Sequence, residues 1–222
     1  MWEERVLFVD AEALVIDKPA GLAVHPGPRT PESLERYLRD LRFGFQRPPS
    51  PVHRLDRDTS GCLLLSRNPK AHKRFAFAFE ENRVTKTYLA VVGGVPDAEE
   101  GRIDLPLAKI SSAEAGWRMV PDPAGKSAVT AWRRLAVIEG RALLLFLPET
   151  GRTHQLRVHA AEALGMAISG DPVYGTGRGP MLLHALSLKV DRGARAPIEA
   201  TAPLPPTFLQ AGFTADLLDA AD

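Results

Sequence analysis

The sequence predicts a mixed α+β domain rather than a doubly wound sheet. Strand-like apolar runs outnumber helical segments, and the two alternate irregularly along the chain. With 222 residues, 45% of them hydrophobic and 25% charged, the chain is an ordinary soluble domain able to bury a sizeable core. A single domain spanning residues 1–222 is expected.

The elements follow in order. RVLFVD and ALVIDKP read as hairpin strands joined near Asp10 to Glu12, and PAGLAVHPGP is a Pro/Gly loop behind them. SLERYLRDLRF reads as a helix carrying Leu34, Leu38 and Leu41 on one face, ended by the proline-rich RPPSP. CLLLS is a short buried strand. PKAHKRFAFAFEENR is helical, because Pro69 suits a first turn and Phe75, Phe79 and Arg83 share a face. KTYLAVV, SAVTAWRRL and RALLLFLP read as strands. A helix is expected over roughly 153–164, with Leu156, Ala160, Ala163 and Leu164 as its apolar stripe. The glycine-rich GDPVYGTGRGP is a loop, and LLHALSLKV closes the list of strands.

Composition excludes several classes. No apolar run reaches the ~18 residues of a membrane span, and MWEERVLFVD lacks the apolar stretch of a signal peptide, so a cytoplasmic protein is expected. The single cysteine, Cys62, rules out an intrachain disulfide and a multi-cysteine zinc site, and is assigned to the core. Net charge is only +1, yet residues 29–74 hold eleven Lys/Arg against five acids, which predicts a basic face on a neutral protein.

The charge within HRLDRDTSG, residues 53–61, stands beside a buried strand. Asp58-Thr59-Ser60-Gly61 is turn chemistry, with Gly61 free to take a positive φ, so Asp58 is read as structural. Asp56 has Arg54 and Arg57 close by, and nearby positive charge would keep its carboxylate ionised. On this motif alone, a nucleophile or general base and a buried structural ion pair fit equally well.

The second charged motif is TGRTHQLRVH, residues 150–159. Arg157 falls at the rim of the helix's apolar stripe and needs an anionic partner, for which Asp56 is nominated; snorkelling to solvent is the alternative. His154 and His159 are five apart, which does not make a helical metal pair. GTGRGP lacks the GK[ST] ending of a phosphate-binding loop, and Ser60 with His53 lacks a nucleophile elbow.

In order, KPAGLAVHPG, HRLDRDTSG, VTKTYLAVVGG, GRTHQLRVH, GDPVYG and LLHALSL together resemble the RluA-type pseudouridine synthases, from the first strand to the closing IEATAPLP. Cys62 stands where the family usually has an aliphatic residue. Many relatives carry an N-terminal S4 RNA-binding module, which this chain is expected to lack. The resemblance implies a mixed, bisected β-sheet flanked by helices, and isomerisation of a uridine already in RNA. Carried over by position, Asp56 is the catalytic aspartate, Tyr88 is the catalytic-site tyrosine that stacks on the uracil and is a candidate to assist a proton transfer, and Arg157 pairs with the aspartate. Arg54 enters the space left by the flipped base, and Leu183 packs beneath the uracil. Arg152 is a phosphate contact or a structural residue, and His154 is placed with the substrate-binding group.

Such chemistry needs no redox step or energy source, so neither cofactor nor metal is expected. The expected partner is a stem-loop of ribosomal or transfer RNA whose uridine flips at a cost of a few kcal/mol; a monomer is the expected state. A non-catalytic RNA-binding protein using the same cleft is the alternative. A glycosidase would want a second catalytic carboxylate, for which only Asp58 is available.

Overall fold

The computed structural model describes residues 2–27, 30, 32–112 and 116–219. Arg29, first of the basic stretch, lies outside the described residues, as does Pro28 of the Pro/Gly loop. The strands are β1 (Val6–Val9), β2 (Ala13–Lys18), β3 (Ser50–Pro51), β4 (Ser60–Ser66), β5 (Val84–Val92) and β6 (Glu100–Asp104). They continue with β7 (Leu107–Ser112), β8 (Gly116–Pro121), β9 (Val129–Ile138), β10 (Arg141–Pro148), β11 (Leu183–Arg192) and β12 (Arg195–Thr201). The helices are α1 (Pro69–Glu80), α2 (Gln155–Val158), α3 (Pro206–Gln210) and α4 (Asp216–Asp219), an α+β content as predicted. No described helix is long and apolar enough to cross a membrane.

The chain packs as two compact units. One comprises residues up to Lys86 with His184–Pro203; the other comprises Thr87–Leu183 and the chain from Leu204 onward. In the first unit the strands lie in the order β1-β2-β4-β11, with β12 beside β11 and β3 beside β4. β1 and β2 form the predicted hairpin, and β2 runs antiparallel to β4 from Ala13↔Ser66 to Lys18↔Gly61. β4 and β11 are parallel, which makes the sheet mixed. Every residue of β4 is buried, as its unbroken apolar run predicts for a strand covered on both faces.

Gly61 is required here twice over. Its φ is +105°, and a Cβ would stand 2.2 Å from the carbonyl oxygen of Ala185 on β11. Helix α1 starts where Asn68 caps it, accepting the Ala71 N–H at 2.9 Å, with Pro69 in the first turn. It buries Ala71, Phe75 and Ala78 against Cys62, Leu64, Leu188 and Ile198. Burial pushes the Cys62 thiol up to about 12, so this cysteine is core as expected.

In the second unit β5, β10, β9 and β6 are neighbours in that order, all antiparallel, and β7 and β8 form a separate hairpin. The core beneath them gathers Ala90, Leu144, Phe146, Leu156, Ala160, Ile168 and Leu183.

Three expectations need correction. The segment from Ser33 to Phe43 is two short 3₁₀ turns, Leu34–Tyr37 and Asp40–Arg42, not one helix. The carbonyls of Arg42 and Phe43 accept from the buried Arg67 guanidinium instead of continuing a helix, and Phe43 turns left-handed at φ 44°. The helix expected over 153–164 starts at Gln155 because His154 is left-handed, φ 54°, and it passes at His159 into a π turn ending at Ala163. The wider turn takes Ala163 off the apolar stripe, and it is exposed. Lastly, Arg83 lies beyond the end of α1: the chain leaves the helix through Glu81 and a left-handed Asn82, φ 53°.

Candidate active site

Asp56 sits half-buried on the loop between β3 and β4. The turn is closed by the Thr59 N–H donating to the Asp56 carbonyl at 3.2 Å, while the Asp58 carboxylate receives the Arg57 fork at 3.0 and 3.2 Å. Arg57 therefore serves Asp58, a correction to its expected role beside Asp56. The buried positive group behind this loop is Lys18. It follows Leu14 and Ile16 on one face of β2, and its three N–H donors reach the carbonyls of Pro19 (2.8 Å), Leu22 (2.7 Å) and Arg57 (3.1 Å). Burial drives Lys18 down to about 7, against the pull of Asp58, Asp56 and Asp17.

His53 opens the motif as a structural residue. Its Nε2 accepts the Leu64 N–H at 3.0 Å and its ring stacks on Phe79 at 4.4 Å. Burial and the Lys86 charge push it down to about 3, so it stays neutral. Ser60 pairs with Nδ1 of the buried His184 at 2.8 Å, not with His53. Arg54 is exposed.

In the second unit Asp171 of GDPVYG is an anionic partner of Arg157. Nε and Nη2 of Arg157 meet the two carboxylate oxygens at 2.7 and 2.8 Å, with both side chains buried. This fork is the bidentate geometry only an arginine supplies. Asp171 Oδ1 also accepts the N–H groups of Val173 and Tyr174. Burial alone would raise the Asp171 carboxyl; Arg157 and those two N–H groups outweigh it and hold the group below its ordinary value. The Arg157 guanidinium lies 5.3 Å from the ring centroid of Tyr174, whose hydroxyl accepts the Met119 N–H and bonds His154 Nδ1, each at 3.0 Å.

Gln155 holds the turn on which these residues stand. Its Oε1 accepts from the Thr150 hydroxyl (2.8 Å) and the Arg152 N–H (2.9 Å), and its Nε2 donates to the Val129 carbonyl (3.0 Å) and Thr130 Oγ1 (2.9 Å). Arg152 is exposed and its Nε donates to the Ser127 carbonyl at 2.9 Å, so part of its fork is tied to the protein. His154 also packs against Trp117, ring centroids 5.0 Å apart. Tyr88, opposite Phe146 on β5, and Leu183, the first residue of β11, belong to one apolar cluster with Leu156.

The structure thus brings Tyr88, Leu183 and Leu156 together in the second unit, and Asp56 with Lys18 in the first. The sequence pointed to no role for Lys18, Asp171 or Gln155. Lys18 could have been found from its place at the end of an inward-facing strand register, and Asp171 from the need of a buried arginine for an acid.

The chain matches the family model described as RNA pseudouridylate synthase over residues 12–162. It is 58% identical over 214 residues to an uncharacterized RNA pseudouridine synthase of Zymomonas mobilis, covering 95% of this chain and 98% of that one. It is 37% identical over 189 residues to the ribosomal large subunit pseudouridine synthase D of the same organism, covering 82% of this chain and 58% of that protein. Among solved structures, human RNA pseudouridylate synthase domain containing 4 aligns over 99% of this chain and 93% of its own, with a TM-score of 0.79 and 25% identity. Family model, relatives and fold agree with the motifs: the chain belongs to the RluA-type RNA pseudouridine synthases, which are isomerases.

Proposed function

We propose that the chain converts a particular uridine of structured ribosomal or transfer RNA to pseudouridine, with Asp56 as the catalytic carboxylate and the base flipped out of its stack. Asp56 can attack C1′, deprotonate C2′ or add to uracil C6. Tyr88 stacks on the uracil, Leu183 packs beneath it, and Arg54 fills the vacated space. Arg152 and His154 contact the RNA. The relative named for the ribosomal large subunit supports a ribosomal target.

The observation that carries this reading is the anchoring of the Asp56 loop. Lys18 ties Arg57, next to Asp56, into the buried end of β2, while Arg57 itself is engaged by Asp58. A carboxylate on a loop fastened through its backbone is suited to chemistry, because its position does not depend on its own charge. Asp56→Asn is therefore expected to keep the fold and most RNA affinity while losing about 10²-fold or more in turnover. The check is product analysis of total RNA incubated with each enzyme. The wild type should give isomerised RNA of unchanged mass; released uracil, or bound and unaltered RNA, would sink the reading, as would an active Asp56→Asn.

A further inference from the structure

Residues 36–47 carry four arginines (Arg36, Arg39, Arg42, Arg47) and one acid, Asp40. Here an open cleft of about 510 Å³ is lined by Arg39, Asp40, Arg42, Phe43, Gly44, Phe45 and Gln46. Phe45 is 37% exposed. Two successive left-handed residues, Phe43 (φ 44°) and Gly44 (φ 83°), carry the chain around so that the Phe45 ring lies over Arg67, whose guanidinium carbon is 3.7 Å from the ring centroid. Arg67 is buried and donates to the carbonyls of Asp10, Arg42 and Phe43, so its plane is fixed from three directions. One face of the ring is thereby backed by a locked cation, while the residue keeps 37% of its surface in solvent. Phe43 is a non-glycine residue in the left-handed region, a cost that persists where the surroundings over-determine it.

We propose that this cleft is an accessory RNA subsite: an unpaired base outside the reacting uridine stacks on the exposed Phe45 ring, and the adjoining phosphates lie on Arg39 and Arg42. The inference rests on the reading of the chain as an RNA-modifying enzyme and extends it to recognition. An aromatic ring accepts any base, and arginines beside it take the backbone, which is the chemistry of single-strand binding. The cleft is large enough for a nucleotide, within the roughly 300–1,000 Å³ of small-ligand pockets. The local excess of arginine selects a polyanion over an apolar peptide, and the ring selects a nucleic acid over a bare phosphate.

The test uses a fluorescein-labelled 12-residue oligouridylate, with inorganic polyphosphate and uridine monophosphate as competitors, on the full chain. Phe45→Ala should weaken oligouridylate binding by about 5- to 150-fold, while Phe45→Trp restores it and inorganic polyphosphate competes equally against the wild type and Phe45→Trp. Arg39→Ala with Arg42→Ala should flatten the slope of log K against log[salt] by about 1.4. Wild-type affinity in Phe45→Ala would overturn the subsite. So would equal losses in Phe45→Ala and Phe45→Trp, which would mark the ring as packing, or uridine monophosphate binding as tightly as the 12-mer. Isomerised RNA from the wild type with unaltered binding in Phe45→Ala would sink the subsite alone. Phe45-dependent binding without isomerisation would sink the catalytic reading alone.

Discussion

Arg157 and Asp171 are each indispensable to the other because both are buried and each satisfies the other through two bonds. Removing one partner leaves a buried charge, at a cost of about 3–5 kcal/mol. Arg157→Lys keeps the charge but not the fork, so it should lower both stability and turnover, read by the denaturant midpoint and by single-turnover rates. Acid should expose the same pair. The folded Asp171 carboxyl lies below its ordinary value of 3.8, so on acidification the unfolded chain takes up this proton first. The stabilisation from Asp171 is complete above that ordinary value and is lost as pH falls through the folded one. Asp171→Asn should therefore be less stable than wild type near neutrality, with the gap closing in acid. A constant gap down to the acid-unfolded range would show that the pair contributes nothing ionic.

Elements divide by where their hydrogen bonds go. The β1-β2 hairpin, β4, α1, β9 and β10 were legible because local sequence determines them: apolar runs bounded by turn residues, and a proline suited to a first helical turn. The segments 34–42 and 153–164 were not, since their backbone is claimed from a distance. Arg67 takes carbonyls 24 and 25 residues away, and the Gln155 amide fixes the turn from which α2 departs. β6, β7 and β8 carry few buried residues, Ile103, Leu107 and Met119 among them, and so show little periodicity. The candidate site follows the same rule. Its motifs stood out by composition, but the Arg157 acid lies 14 residues away and the Lys18 contact to Arg57 spans 39. Where β4 meets β11, Gly61→Ala should cost at least about 3 kcal/mol, because the new Cβ would overlap the Ala185 backbone at a positive φ. Gly27→Ala, with open space around it, should stay within about 0.5 kcal/mol. Equal denaturant midpoints for the two variants would refute the close strand approach.

Across the whole molecule the charge is unevenly spent. Residues 29–74 hold a surplus of six positive charges and the remainder a deficit of five. Affinity for RNA should therefore come from a small set of phosphate contacts, about 4 to 6, with a slope of log K against log[salt] of roughly −3 to −4 on a mainly single-stranded target. A slope steeper than about −6 would mean that cations outside this stretch take part. If exposed Arg54 fills the space of a flipped base, Arg54→Ala should slow modification of a stem-loop far more than that of an unstructured strand of the same sequence. Equal loss on both, by single-turnover rates, would make Arg54 a general support of the loop.

Gln155 sets a limit on how this family motif can drift. Its oxygen faces two donors and its nitrogen two acceptors. Only a carboxamide, held one way round, matches that polarity. Glutamate lies a single nucleotide change away and has nearly the same shape, yet it would turn an acceptor oxygen toward the Val129 carbonyl inside a buried network, where repulsion is strongest. A change one nucleotide away in the genetic code and nearly identical in shape is thus among the least tolerable in the fold.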